Sequence, residues 1–437
     1  MFDTEIFGGI ILSSHNRYRP FIGSIGISGE NIGYVCEGRR NVTAKKKIDA
    51  TGKIIMPGLI NGHCHGDMTL ARGLGDNLTL LEQNKAFEQS NWFYKYISDE
   101  DRYYSRQLTY CEALLFGTTF ILENMYWDLG RDSPKAMAET GIKGALAQDI
   151  RLDFANPDKF MDEKTIRDFA EDCTSHELIP IIGSVSEEDF EPQRLKKISK
   201  IVSDAGLMQT FHMSENQWRQ DIVLKKFNNP TVVLLKEWGV LSENMICSHS
   251  VYVSDEEIKI MAESGAKVVN TPLCEMKIAD GIAPIPGFLE GNVTVGLGTD
   301  GSMWNNSNDI FREMKGMVLL HTINSGIRSL SAHDVLDMAT IKGASVFGQE
   351  HRTGSLEAGK AADIILVDAT KPHMTPLRTG LHENVASCVV FNATGADVTD
   401  VFVNGRHVVS NREITTVDLA AISKKVTSAS ERVAKML

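Results

Sequence analysis

The sequence predicts an α/β protein: a (β/α)8 TIM-type barrel with a small β-sandwich domain formed from both chain termini. Two patterns support this prediction. Short apolar strands alternate with longer helical patterns through the middle of the chain, and β-rich segments punctuated by glycine occur at both ends. The 437 residues are enough for one large barrel and a smaller second domain.

Eight apolar segments of strand length follow one another in the middle of the chain, separated by helical patterns. Eight strands over roughly 250 to 300 residues match the size of a (β/α)8 barrel. The predicted strands are 54–61, 118–124, 143–148, 179–184, 209–212, 245–249, 267–270 and 294–298.

The two ends of the chain share a β-rich pattern. Residues 362–368 are typical of a strand, and residues 401–409 are typical of a hairpin around Asn404-Gly405. We therefore expect residues 1–56 and 351–416 to form one composite β-sandwich domain. The remaining predicted units are the barrel, residues 57–350, and an amphipathic C-terminal helix, residues 417–437.

Charge and composition indicate which partners and which cellular compartment to expect. The net charge of −12 argues against a nucleic-acid partner or an anionic membrane surface. No apolar stretch approaches the ~20 residues of a membrane span, and the first residues lack the basic start of a signal peptide. The seven cysteines form no CxxC pair, and their odd number favours reduced thiols. These features predict a cytoplasmic protein.

Five histidine and aspartate positions indicate a metal site. His63 and His65 follow the first predicted strand, and residues two apart at a strand end point the same way. His212, His249 and Asp300 end three later strands, so the set falls at the ends of strands 1, 5, 6 and 8. Active sites of (β/α)8 barrels are built at these carboxyl ends of the strands.

The donor chemistry suits a transition-metal ion. Imidazole and carboxylate ligands are typical of zinc, iron or manganese sites. Three histidines and one aspartate, with no evident second carboxylate or lysine to bridge a pair of ions, predict one divalent ion, with zinc favoured. A bound ion of this kind lowers the pKa of its water to roughly 7, and Asp300 could take the proton.

Glu215 lies three residues after His212, which aims it at the same site. A carboxyl group there can protonate a ring nitrogen and then carry a proton to the leaving group. The alternative is an exposed residue in the first turn of a helix, where the helix dipole favours an acidic side chain.

Longer segments carry a resemblance to a known family. Residues 56–65 read MPGLINGHCH, residues 211–215 read FHMSE, and residues 297–301 read LGTDG. Further matching segments are residues 68–78, 276–284, 305–307 and 354–363. The chain resembles the branch of the amidohydrolase superfamily that contains S-adenosylhomocysteine and methylthioadenosine deaminases, guanine deaminase and triazine hydrolases.

The resemblance implies hydrolytic attack on a C=N carbon of a small heterocyclic substrate, with ammonia expelled. It implies that His63, His65, His212 and Asp300 hold the metal ion. It also implies that His249 hydrogen-bonds the hydroxide or the developing oxyanion instead of binding the metal. Because relatives are often dimers or tetramers, we expect a homo-oligomer.

Four residues are candidates for substrate binding. In the nucleoside deaminases that this segment resembles, a glutamate at the position of Glu82 accepts hydrogen bonds from ribose hydroxyls; the alternative is a helix-surface glutamate. Trp304 and Trp92 could stack on a planar ring or simply pack in loops. Arg151 is the fourth candidate.

Departures from the family pattern leave the substrate open. Relatives often have Ser-Asn or Asn-Asn where this chain has Cys274-Glu275, and a tryptophan where it has Gln83. A Pro-His-rich loop is replaced by residues 184–188. The first hypothesis is deamination of an adenine nucleoside or thioether derivative. Guanine, a pterin or a triazine with an amine or chloride leaving group is the alternative, and a non-catalytic scaffold is the most distant one.

Overall fold

The computed structural model describes residues 1–88, 95–125, 132–152 and 159–436. Its strands form two sheets, one of eight parallel strands and one of nine strands from both ends of the chain. The strands are β1 (Phe2–Ile11), β2 (Phe21–Ser28), β3 (Asn31–Glu37), β4 (Ala44–Asp49), β5 (Lys53–Pro57), β6 (Leu59–Cys64), β7 (Thr118–Met125), β8 (Lys143–Asp149), β9 (Ile179–Ser186), β10 (Met208–Met213), β11 (Met245–His249), β12 (Lys267–Asn270), β13 (Val295–Leu297), β14 (Ile364–Asp368), β15 (Val398–Val403), β16 (Arg406–Ser410) and β17 (Glu413–Ile414).

Strands β6 to β13 pair in chain order as parallel neighbours, and helices pack around them. The predicted barrel of eight strands is confirmed. The α-helices are α1 (Leu80–Gln83), α2 (Asp99–Leu115), α3 (Ser133–Thr140), α4 (Glu163–Ser175), α5 (Pro192–Asp204), α6 (Gln217–Phe227), α7 (Thr231–Glu237), α8 (Asp255–Ser264), α9 (Pro272–Ile278), α10 (Ile285–Glu290), α11 (Ile310–Ser325), α12 (Ala332–Ala339), α13 (Ile341–Val346), α14 (Val385–Phe391) and α15 (Leu419–Ala434).

The barrel closes where β13 approaches β6. The backbone amides of Thr299 and Asp300 both donate to the carbonyl of His63, at 3.0 and 2.9 Å. The Asn61 amide also donates to Thr299 Oγ1 at 2.8 Å. Gly298 permits this approach, because a Cβ there would lie 2.7 Å from the Cβ of His63. Closure therefore brings Asp300 next to the first strand.

The first predicted strand, 54–61, is divided between the two sheets. Residues of β5 pair antiparallel with β14, so that Met56 lies opposite Ile365 in the terminal sheet. The barrel strand β6 begins only at Leu59. The apolar run is continuous because both strands are buried: Ile54 and Met56 of β5 and Leu59 of β6 share one core, and Ile55 packs in the core of the terminal sheet. Hydrophobicity alone therefore did not reveal the boundary at Gly58.

The terminal sheet has the order β17-β16-β15-β14-β5-β1-β2-β3, with β4 paired to β1. The hairpin of β15 and β16 turns at Asn404-Gly405, and Gly405 has a φ of 72°. Helix α15 packs against α2 through its apolar side, which includes Val426 and Val433. Among the described residues, no helix combines the length and the apolar character needed to cross a bilayer.

Candidate active site

Strand ends of the barrel bring five polar side chains together. His63 and His65 flank Cys64 at the end of β6, and the alternation of side chains along a strand turns both imidazoles to the same side. His212 belongs to β10, His249 ends β11, and Asp300 follows β13. These five side chains are buried; their residues are between 0% and 7% exposed.

Ring nitrogens and one carboxylate oxygen converge at the centre of this cluster. Nε2 of His65 lies 3.2 Å from Nε2 of His212. Oδ1 of Asp300 lies 3.5 Å from Nε2 of His65 and 3.7 Å from Nε2 of His63. The ligand atoms of His63, His65 and His212 lie within 4.8 Å of one another, and so do those of His63, His249 and Asp300. Such a close approach of unbonded donor atoms is typical of a metal site.

Partners on other strands orient two of the imidazoles. Nδ1 of His65 donates to the backbone carbonyl of Asn124 at 2.9 Å, and Nδ1 of His63 lies 2.9 Å from Ser248 Oγ. The side-chain amide of Asn124 also lies 2.8 Å from Nδ1 of His63. A proton on Nδ1 of His65 leaves its Nε2 lone pair directed to the centre of the cluster. Within the described residues, Nε2 of His63 is buried and has no hydrogen-bond partner.

Burial sets the charge of these groups. It lowers the pKa of His63 to about 4 and holds the pKa of His212 well below its usual value. Burial alone would raise the pKa of Asp300, but the hydrogen bond and charge of His63 and the nearby imidazoles lower it instead. Neutral imidazoles and an ionised carboxylate are the forms that bind a cation. His63, His65, His212 and Asp300 therefore fit a single divalent ion and could hold it.

Asp300 is held by donors on both oxygens. The backbone amide of Gly301 donates to Oδ1 at 2.7 Å, and the thiol of Cys274 donates to Oδ2 at 2.8 Å. Burial and the charge of Asp300 hold the pKa of Cys274 well above its usual value, so the thiol keeps its proton. Oδ2 therefore bonds the thiol, and Oδ1 is the oxygen that faces the histidines.

Glu215 lies just before α6 and is 4% exposed, so it is not a solvent-facing residue of the first helical turn. Its Oε2 forms a short contact with the guanidinium of Arg219, one turn further on. Its Oε1 lies 3.9 Å from Nε2 of His249. The Arg219 guanidinium also approaches Glu188 to 2.9 Å. The carboxylate of Glu215 is therefore fixed, with one oxygen directed to the histidine cluster.

His249 differs from the other histidines of the cluster. Burial alone would lower its pKa, but the carboxylates of Glu215, Glu275 and Asp300 raise it to about 9. Its backbone adopts the left-handed conformation, with φ of 67°, and Asp300 does the same with φ of 60°. Such conformations are uncommon for residues other than glycine and concentrate at functional sites.

A small cavity opens beside the cluster, and the indole of Trp304 lies at its wall, 5.3 Å from the ring of His65. A larger cavity between α2 and α15 contains none of the cluster's donors. The small cavity is lined by His65, Leu80, Asn84, Ser186, His212, Glu215, Arg219, Asp300 and Trp304.

Two other substrate candidates do not line that cavity. Glu82 is exposed, and its Oε2 accepts from the backbone and the hydroxyl of Thr79, each at 2.8 Å, in a capping box of α1. Arg151 pairs with Asp149 at 3.0 Å. Trp92 falls outside the described residues. The assignment of these three residues to the substrate site stays a prediction.

Comparison with known proteins agrees with the geometry of the barrel and of the site. A model of the amidohydrolase family matches residues 54–408. The chain belongs to the amidohydrolase family. The resemblance found in the sequence is thereby confirmed. This amidohydrolase is a hydrolase that acts on C–N bonds, and its family is metal-dependent.

Individual relatives cover most of this amidohydrolase. It is 33% identical to the 5'-deoxyadenosine deaminase of Methanopyrus kandleri over 87% of this chain and 86% of that protein. It is 31% identical to the 5-methylthioadenosine/S-adenosylhomocysteine deaminase of Thermoanaerobacter pseudethanolicus over 92% of both. The crystal structure of an adenosine deaminase from Xanthomonas campestris with bound zinc matches with a TM-score of 0.90 at 22% identity, covering 99% of both chains.

Sequence reasoning missed several residues of the amidohydrolase site. Asn124, Ser248 and Cys274 orient the candidate ligands, and Arg219 contacts Glu215. Asn124 ends a predicted strand and Ser248 precedes His249, so their positions at strand ends could have identified them. Arg219 lies four residues after Glu215, which is the spacing of neighbours on a helix. Cys274 gave no comparable signal, because it lies in α9 and its partner Asp300 follows β13.

Proposed function

We propose that the protein hydrolytically deaminates the adenine ring of a nucleoside whose 5' position lacks a free hydroxyl, such as 5'-deoxyadenosine or a 5'-thioether. The observation that carries the proposal is the convergence of Glu215 and Asp300 on one cavity beside three histidines, with Nε2 of His249 3.9 Å from Glu215 Oε1. The relatives named for 5'-deoxyadenosine, methylthioadenosine and S-adenosylhomocysteine supply the substrate class.

The four candidate ligands are proposed to hold one zinc ion. Three imidazole nitrogens and one carboxylate form a donor set that zinc prefers, and iron or manganese would also accept it. A divalent ion held there would act as a Lewis acid and would make water an effective nucleophile at neutral pH.

The chain's own residues move the protons. Water adds to C6 of the ring, and Asp300 takes up a proton from that water. The protonated carboxyl group of Glu215 delivers its proton to ring nitrogen N1. The proton held by Asp300 then passes to the amino group, which leaves as ammonia, and the hydroxyl proton on C6 returns to Glu215 as C6 becomes a carbonyl. His249, whose Nε2 lies 3.9 Å from Glu215 Oε1, stabilises that oxygen.

Two side chains are proposed to contact the substrate. Trp304 offers an aromatic face beside His65, on which a purine can stack. Glu82 uses Oε2 for its helix cap, and within the described residues Oε1 has no partner, which leaves it to accept from a ribose hydroxyl.

The assembly and compartment are also proposals. The carboxyl end of α11 exposes Ile323 and Ile327, 88% and 78% accessible, which supports a homo-oligomer. All seven cysteines are free thiols, as expected in the reducing cytoplasm. Light scattering of the purified protein tests the first point; a monomer at micromolar concentration would contradict it.

Ammonia release tests the activity. The zinc-loaded protein should deaminate 5'-deoxyadenosine, methylthioadenosine and S-adenosylhomocysteine much faster than adenine, guanine, a pterin or a chlorotriazine. The E215Q variant serves as the control for contaminating deaminases. An enzyme that hydrolyses a free base, a pterin or a triazine but no purine nucleoside would contradict the proposal.

A further inference from the structure

A buried carboxylate lies behind His249. Glu275, in α9, is 0% exposed and receives several hydrogen bonds. The amide of Asn270 approaches its two oxygens at 2.7 and 3.0 Å. The backbone amide and the hydroxyl of Thr271 donate to Oε1 at 3.3 and 3.4 Å. Because donors surround both oxygens, the Glu275 carboxylate acts here as an acceptor.

The direction of the next hydrogen bond follows from this. Thr271 has one hydroxyl proton, and the Glu275 carboxylate receives it. The Thr271 oxygen therefore accepts from His249 Nδ1, which lies 3.0 Å away. The direct distance from Nδ1 to Glu275 Oε1, 3.7 Å, is too long for a hydrogen bond. Nδ1 of His249 thus carries a proton whether the ring is neutral or charged.

The other ring nitrogen has a different environment. Nε2 of His249 is buried and, among the described residues, has no hydrogen-bond partner. It lies 3.9 Å from Glu215 Oε1, toward the cluster of histidines. Since Nδ1 is bonded to Thr271, Nε2 is the ring atom that faces the cluster.

The same carboxylate also supports the backbone of His249. The side-chain amide of Asn270 donates to the carbonyl of His249 at 2.9 Å and to Glu275 at 2.7 Å. One amide therefore links the carboxylate to a residue whose φ of 67° is unfavourable without external contacts. Ring and backbone of His249 are held from the same side.

We propose that Glu275 is a positioning residue that, acting through Thr271, keeps the proton on Nδ1 of His249 and reserves Nε2 for the substrate side. The inference rests on the proposed deamination for its kinetic consequence, but not for its hydrogen-bond geometry. Position 275 is one at which the chain departs from the Ser-Asn or Asn-Asn pattern that is frequent in the proteins it resembles.

The main test combines kinetics with ¹⁵N NMR of histidine-labelled protein. The amide oxygen of the E275Q variant is a weaker acceptor than the carboxylate, so the Thr271 hydroxyl can turn to donate to Nδ1 and the ring proton can move to Nε2. We expect kcat to fall about tenfold to a hundredfold, as for other residues that orient a catalytic group. KM should stay within about threefold and metal content should not change. The ¹⁵N signals of His249, identified by their loss in H249Q, should report the tautomer change.

Two further variants separate positioning from folding. T271S keeps the hydroxyl and should retain wild-type kcat and tautomer, whereas T271V removes it and should behave as E275Q does. E257Q is a matched control, because Glu257 is a buried capping glutamate of α8, remote from the cluster; its kcat should be unchanged.

Three results would overturn the proposal. These are wild-type kcat in both E275Q and T271V, an unchanged His249 tautomer in E275Q, or a loss in T271S equal to that in T271V. The NMR result needs no substrate. It therefore tests the hydrogen-bond chain even if no adenine nucleoside is deaminated.

Discussion

The cluster at the strand ends and the segments that carry the substrate candidates are built differently. The candidate metal ligands are buried, and three of them bond to residues distant in sequence outside the ligand set: His63 to Ser248, His65 to Asn124 and Asp300 to Cys274. Glu82 and Arg151 instead bond to neighbours two or three residues away, Thr79 and Asp149. Long-range contacts within the barrel thus hold the candidate metal ligands in place. Short-range contacts hold Glu82 and Arg151, the side chains predicted to contact the substrate.

The first test removes a member of the buried cluster and should have the largest effect. The H212A variant loses one of the three imidazole ligands and leaves a cavity in its place. The donor set for the ion is then incomplete. We expect elemental analysis to find zinc occupancy sharply reduced and ammonia release to fall below detection.

The matched control is H176A, because His176 lies at the end of α4, remote from the cluster. It should keep full occupancy and full activity. Wild-type zinc content in H212A, or two ions per chain in the wild type, would contradict the single-ion site.

The second test changes the proton carrier without changing the ligands. E215Q preserves shape and hydrogen bonding but cannot cycle a proton, so kcat should fall about 10²- to 10⁴-fold with zinc retained. E188Q is its control, since Glu188 also contacts Arg219 but does not approach His249 as Glu215 does. E188Q should lose less than about tenfold. If E215Q keeps more than about a tenth of wild-type kcat/KM, Glu215 is not the proton carrier.

Sequence periodicity was sufficient to locate the cluster. His63 and His65 follow an apolar run with the two-residue spacing of a strand, and His212 and His249 each end such a run. Because parallel strands of a barrel all end at one rim, finding the strand ends was equivalent to finding the site. The one misplaced boundary, at Gly58, did not matter, because it lies at the opposite end of β6.

The contacts that orient these residues could not be predicted in the same way. Cys274 and Thr271 reach their partners through the conformation of the segment after β12, and no periodic pattern encodes that conformation. The role of Glu82 was also not decided by the sequence. Its spacing from Thr79 is that of a capping box, but the same carboxylate is proposed to bind ribose, and the spacing does not choose between these two roles.

The third test asks whether Glu82 acts beyond its cap. E82A should lower kcat/KM for a purine nucleoside by about 2 kcal/mol, roughly 30-fold, and change little for adenine. T79A is the matched control, because it removes the cap's hydroxyl while keeping the carboxylate. T79A should lose less than about threefold. Equal losses in E82A and T79A would assign Glu82 to capping alone and leave specificity to other loop residues.

The smallest effect is expected at the edge of the buried cluster, at Cys274. Its thiol donates to Asp300 Oδ2 and, because its pKa is raised by burial and by Asp300, it remains a donor throughout the neutral range. A single hydrogen bond to a buried group contributes about 0.5–1.5 kcal/mol, so C274A should lower kcat and zinc affinity about two- to tenfold.

C274S distinguishes the hydrogen bond from packing. A hydroxyl of similar size can donate to the same oxygen, so C274S should stay near wild type in kcat and in zinc release to a competing chelator. C274A leaves Oδ2 without this donor, and the carboxylate can then rotate so that either oxygen faces His63 and His65. Faster zinc release in C274A than in C274S would therefore show that even the outermost contact of the cluster acts on the ligands. Equal release from both variants would instead confine that role to Gly301, whose backbone amide holds Oδ1.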